Sequence, residues 1–178
     1  MRIFIALELP AKTRDNLCIS MSQLGDHTTK GNFTAKENLH VTLHFLGEVS
    51  PDKLIFVQSA MDGVKQLPAP TLTINQIGML RANDIVCAKI RPDKKLAALH
   101  EQLGTSLEKL GFTVEHRAFR PHVTLVRKSA FDLPFSEVVK CVDVFNMPFD
   151  ATQIVLYQSA LSPTGPTYTE LYRVQLEK

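Results

Sequence analysis

The sequence predicts a mixed fold of strands and helices, built as two related halves about one shared cleft. Three observations carry that expectation. His40-Val41-Thr42-Leu43 recurs unchanged as His122-Val123-Thr124-Leu125, 82 positions later. Sliding the chain by the same 82 positions, with no gap, also aligns Ile3 with Ile85, Ala6 with Ala88, Pro10 with Pro92, Lys12 with Lys94 and Leu17 with Leu99. In both halves an apolar strand, a helix opened near a proline and a strand carrying the tetrapeptide follow in that order, the mark of an internal repeat. The approximate units are residues 1–45 and 83–127, within a single bilobal domain spanning residues 1–178.

The elements follow in chain order. Ile3 to Glu8 is β-branched and aromatic enough for a strand, and Pro10 suits the first turn of a helix. Leu17, Met21 and Leu24 recur at helical spacing before Gly25. The polar stretch GDHTTKGNFTAKEN reads as a loop, and the apolar run Leu39 to Leu46 as a strand. Ser50-Pro51 supplies an N-cap and a first-turn proline for a second helix with Leu54, Val57, Met61 and Val64 on one stripe. TLTINQIGM and DIVCAKI read as strands joined by a hairpin turn at RAND. A third helix follows Pro92, with Leu96, Leu99, Leu103, Leu107 and Leu110 on one side and Gly111 as its stop. After the second tetrapeptide come an irregular proline-containing stretch and strands near Val138–Val144, Ala151–Leu161 and Tyr168–Leu176.

Composition narrows the function. The 178 residues are 44% hydrophobic and 21% charged, as expected of a globular chain. A net charge of +2 is too small for a general polyanion binder, so any nucleic-acid contact must be local. The apolar start, Ile3 to Leu7, is too short for a membrane span and lacks the parts of a signal peptide. Cys18, Cys87 and Cys141 are scattered and odd in number, which suits reduced thiols in a cytoplasmic protein.

On a strand, residues i and i+2 share a face. His40 with Thr42, and His122 with Thr124, therefore each present an imidazole and a hydroxyl to one side, with the Val and Leu residues turned to the core. Two such pairs across a cleft suit in-line chemistry at phosphorus. One neutral histidine takes a proton from the nucleophile, a protonated one gives a proton to the leaving oxygen, and the threonines hold the non-bridging oxygens. No metal is required by this set. There is no H-E-x-x-H, no His-rich cluster and no Asp close to either motif to complete a metal site, and His44, on the same face as His40 by strict alternation, sits about 13 Å along the strand from it. His27, His100 and His116 read as surface residues.

HVTL twice, FLGEV after the first copy and RPHVTLVR around the second resemble the 2H phosphoesterases, in the branch of bacterial and archaeal RNA 2′,3′-cyclic phosphodiesterases formerly described as 2′–5′ RNA ligases. RIFIALELP and LYQSALSPTGPTYTELYRVQL extend the resemblance over nearly the whole chain. The resemblance implies a bilobal α+β fold, with two antiparallel sheets flanked by helices around a central cleft of pseudo-twofold symmetry. It implies hydrolysis of an RNA 2′,3′-cyclic phosphate terminus to a 2′-phosphate, with no cofactor and no metal. His40 would donate a proton to the leaving 3′ oxygen, His122 would accept one from water, and Thr42 and Thr124 would bind the phosphate. Arg127 matches a basic residue of the family pattern, although strict alternation turns it away from the cleft unless the strand bulges. Arg120 has the better parity with His122. His44 departs from the small or apolar residue more usual there, and Phe45 and Phe119 are candidates for stacking on a base.

The enzyme is expected to act as a monomer without membrane contact. The sequence leaves three other readings open: a reversible 2′–5′ RNA ligase, a phosphodiesterase on small cyclic nucleotides, and a non-catalytic binder of RNA ends.

Overall fold

The computed structural model describes residues 1–80, 84–163 and 165–177. Its strands form two four-stranded antiparallel sheets and a short two-stranded one. The first sheet has the order β10-β9-β1-β3, from Gly165–Gln175, Gln153–Ser162, Arg2–Glu8 and His40–Glu48. The second has the order β2-β7-β6-β5, from Thr28–Phe33, His122–Phe131, Ile85–Ile90 and Ile74–Leu80. Thr71–Leu72 (β4) and Phe149–Asp150 (β8) make the small one. Each tetrapeptide therefore opens a strand, one in each large sheet. β3 and β7 run side by side without hydrogen-bonding, so the sheets splay apart there. This is the α+β architecture of two antiparallel sheets expected from the sequence.

The helices pack behind the sheets. Helix α1 (Ala11–Gly25) lies on β2 and β7 of the second sheet, whereas α3 (Lys94–Lys109) lies on β3 of the first and against α2 (Leu54–Asp62). Each helix thus covers the sheet that its own preceding strand does not join. Buried Leu17, Met21 and Leu24 of α1, and Leu96, Leu99, Leu103 and Leu107 of α3, supply the expected stripes. Asp93 caps α3, its carboxylate accepting from the Leu96 amide at 2.8 Å. Gly111, at φ +86°, closes it, with Phe112 N donating to Leu107 O and Gly111 N to Glu108 O.

Four expectations need correction. The polar stretch after α1 contains β2, an edge strand held by β7 rather than by an apolar face of its own. Residues 138–144 are not a strand; Phe135–Val138 (α4) is helical and continues as a 3-10 turn to Cys141. Buried Val138 and Val142 stand four apart, a helical spacing that β-branching disguised. The second helix opens with a 3-10 turn at Pro51–Lys53, and the Ser50 side chain makes no capping bond. Pairing partners also depart from the gapless offset: Glu8 lies opposite His40 and Lys89 opposite His122, 81 positions apart where the motifs are 82 apart. The expected turn at RAND falls largely on residues 81–83, outside the described residues. No helix among the described residues is long and apolar enough to cross a membrane.

Candidate active site

The two motif strands share one pattern of exposure. From His40 to Phe45, and from His122 to Arg127, residues run half-buried, buried, half-buried, buried, buried, exposed. Two buried residues in succession break strict alternation, and the pairing explains them. On β3, Thr42 pairs with Ala6 but His44 with Ile5; on β7, Thr124 pairs with Cys87 but Val126 with Val86. One residue is therefore extra in each strand, Leu43 and Leu125. This is a β-bulge, which re-aims every side chain beyond it.

The bulges decide three residues. Arg127 is carried onto the face of His122 and Thr124, and its charge is felt by His40 and Tyr168 of the first sheet. Phe45 is carried onto the face of His40 and Thr42; it is 56% exposed and packs beside Phe4, ring centroids 5.6 Å apart. His44 goes the other way. It is 4% exposed, stacks on His100 at 4.2 Å and meets α3 where Gly104 leaves room for its ring. Its Nε2–H donates to the His100 carbonyl at 2.9 Å. His44 is thus a core residue away from the cleft face.

His100, expected at the surface, is half-buried. It is sandwiched between His44 and Phe119, and burial first, then the charge of His44, pushes its pKa down to about 4. Phe119 is committed to that stack, 3.9 Å from His100, rather than to the cleft. His27 bonds Asp132 and His116 bonds Glu108, both at outer positions.

The two candidate histidines are held alike. His40 Nδ1 lies 2.7 Å from the Asn38 carbonyl, and His122 Nδ1 lies 2.7 Å from the Arg120 carbonyl. A carbonyl can only accept, so each Nδ1 carries a proton and each Nε2 is the unprotonated nitrogen of the neutral ring. Arg120 therefore serves His122 through its backbone, while its side chain is exposed. His40 Nε2 accepts from the Thr42 hydroxyl at 2.9 Å. Around His40 stand Phe4, Tyr157 and Tyr168, with centroids 5.0, 6.5 and 5.4 Å away. Burial against this wall lowers its pKa to about 4, and the charges of Arg127 and His122 push in the same direction. That coupling links groups of both sheets in one small space.

Sequence reasoning missed part of this setting. Phe4, Tyr157 and Tyr168 come from three strands, and only pairing brings them to His40. Glu8 flanks His40 but is ion-paired to Arg173 at 2.6 Å, which also binds Glu170 at 2.5 Å. Lys89 flanks His122 across the pair. Among the described residues no group of three or more His, Cys, Asp or Glu side chains is placed to hold a metal ion. An apolar hollow bordered by Pro10, Asn16, Ile77 and Phe149 lies elsewhere and includes none of the motif residues.

Comparison with known proteins gives a consistent answer. The family model of the 2′-5′ RNA ligase superfamily matches residues 15–162. A protein of Escherichia coli named RNA 2′,3′-cyclic phosphodiesterase is 32% identical over 174 residues, covering 97% of this chain and 94% of the relative. A Thermotoga maritima protein of the same name is 26% identical over 181 residues, covering 99% and 96%. Among solved structures, a Thermus thermophilus protein superposes with a TM-score of 0.85 at 25% identity, over 99% of this chain and 98% of the other. Escherichia coli LigT complexed with 3′-AMP superposes with a TM-score of 0.78 at 28% identity over the same shares. The chain belongs to the 2′-5′ RNA ligase superfamily.

Proposed function

We propose that the protein hydrolyses RNA 2′,3′-cyclic phosphate termini to 2′-phosphates, using His40 and His122 as a proton donor and acceptor. The observation that carries this reading is the matched anchoring of the two rings. Each Nδ1–H is tied to a backbone carbonyl two residues upstream, which directs both Nε2 atoms to chemistry from the faces of two adjoining sheets. A binder of RNA ends has no need for two imidazoles held in one tautomer. The names of the relatives and the 3′-AMP complex of LigT support the choice of substrate class.

In the proposed step a water oxygen bonds to phosphorus while the P–O3′ bond breaks. The water proton passes to Nε2 of neutral His122, and Nε2–H of protonated His40 is given to O3′. The product carries a 2′-phosphate and a free 3′-hydroxyl, and solvent then returns a proton from His122 to His40. Thr42, Thr124 and Arg127 hold the phosphate oxygens, the arginine supplying charge where the threonines supply neutral donors. A donor with a pKa of about 4 is mostly neutral in the free protein at pH 7. The phosphate anion removes that difficulty, because an opposite charge beside the ring favours its protonated form. No metal enters this scheme.

The test is a short RNA ending in a 2′,3′-cyclic phosphate, incubated with the protein in excess EDTA. A 2′-phosphate product, identified by mass and phosphatase sensitivity, is expected. A 3′-phosphate product, or activity only after metal is restored, contradicts the proposal.

A further inference from the structure

The cleft face of the second sheet carries a cation that the hydrolysis scheme does not use. Lys89 on β6 pairs directly with His122 on β7, so both side chains rise from the same face. The lysine side chain then crosses to the next strand, where Gly78 leaves bare backbone. A Cβ at Gly78 would lie 2.5 Å from Lys89 Cε and 2.8 Å from Nζ. Gly78 pairs with Cys87, and Cys87 with Thr124, which places this groove on the motif face. Two strand spacings, roughly 10 Å, separate the ammonium from β7. Lys89 is half-buried, and among the described residues it forms no ion pair.

The corresponding place in the first sheet is different in kind. There Glu8 lies opposite His40, and its charge is taken up by Arg173. One side of the cleft is thus closed by an ion-pair cluster, while the other offers an uncompensated cation on the same sheet face as Arg127. A long side chain laid over a glycine and left without a counter-ion fits an anion supplied from outside. Only a nucleic-acid strand longer than its terminal nucleotide brings a second phosphate there.

We propose that Lys89, seated over Gly78, binds an upstream phosphodiester of the substrate and makes the enzyme selective for oligonucleotides over cyclic mononucleotides. Lys89 is a specificity-determining residue, outside the proton-transfer pair. The inference rests on the proposed hydrolysis, and the experiment separates the two.

Wild type, Lys89→Met and Gly78→Ala are compared on 2′,3′-cyclic CMP and on a trinucleotide ending in a 2′,3′-cyclic phosphate. For Lys89→Met the trinucleotide kcat/KM is expected to fall about tenfold at low salt, the scale of one charge-assisted hydrogen bond. Its dependence on log salt should become shallower by about 0.7, the loss of one single-strand phosphate contact. Cyclic CMP, which has no second phosphate, keeps its kcat and KM. Gly78→Ala displaces only the flexible end of Lys89, so it should show the same selective loss and add nothing in the Lys89→Met background. Equal losses on both substrates, or none on the trinucleotide, overturn the role of Lys89 while leaving the hydrolysis standing. Turnover of neither substrate by folded wild type overturns the hydrolysis and this role together.

Discussion

Phe45 and Arg127 occupy the same station in the two motif strands, each three residues beyond the motif threonine and each turned to the cleft by a bulge. One sheet therefore offers an exposed aromatic ring where the other offers a guanidinium. Two strands that share His-Val-Thr-Leu and a bulge are thereby made chemically unequal at the next cleft-facing position. Under the proposed function, that inequality is what gives a bound nucleotide a preferred direction.

Arg127 should matter to His40 as well as to phosphate. Burial is the larger cause of the low His40 pKa, and the Arg127 charge adds to it. Arg127→Ala should therefore raise the His40 pKa, read by NMR titration of its ring, yet leave it below the ordinary 6.5. The same variant should weaken competition by inorganic phosphate more than Phe45→Ala does. An unmoved His40 titration would separate the two residues and break the coupling between the sheets.

The pH profiles of kcat and kcat/KM should differ on the alkaline side. His40 must be protonated to donate, and in the free protein it loses its proton above about pH 4, so the fraction of free enzyme with a charged donor falls as pH rises through that value. In the complex the phosphate anion raises the His40 pKa, so the alkaline limb of kcat lies at higher pH than that of kcat/KM. Coincident limbs would mean that the bound phosphate does not reach His40.

Folding stability should decline as the solution is acidified through the histidine range. His40, His44 and His100 all have pKa values lowered by burial, the first and last to about 4. Their unfolded forms bind protons from about pH 6.5 downward while the folded forms do not, so stability is full above that and is lost towards pH 4. Melting temperature measured between pH 7.5 and 4.5 tests this. His44→Phe or His100→Phe should flatten the decline, and a flat wild-type profile would contradict the assigned burial.

Thr42→Val and Thr124→Val keep the shape of the side chain and remove a neutral donor. Each should lower kcat/KM by about 0.5–1.5 kcal/mol, or roughly two- to tenfold. That is less than the loss expected from either histidine. A larger loss than His40→Ala would move the chemistry from the imidazole to the hydroxyl.

Much of this arrangement is legible in the sequence. The doubled tetrapeptide placed two imidazoles and two hydroxyls on motif strands, and the leucine stripes placed α1 and α3. What parity hid was the bulge. Counting by twos put His44 with His40 and took Arg127 away from the cleft, whereas one extra residue per strand reverses both. Strand β2 was hidden because Thr28–Phe33 has no apolar alternation; its order comes from the edge of β7. In the sequence His100 reads as a surface helix residue because its neighbours, His44 and Phe119, lie 56 and 19 positions away in the chain and meet it only through packing. Nothing in the DIVCAKI strand singles out Lys89; only pairing sets it opposite His122.

The central claim is that His40 and His122 act together in one phosphoryl step. It is tested most directly by single-turnover rates of His40→Ala, His122→Ala and the double variant on an RNA 2′,3′-cyclic phosphate, in proteins shown to be folded. Each single variant should lose about 10²–10⁴ in rate, and the double variant should be little slower than the worse single one, as for groups that work as a unit. A single variant within a few-fold of wild type, or losses that multiply in the double, would contradict the paired mechanism.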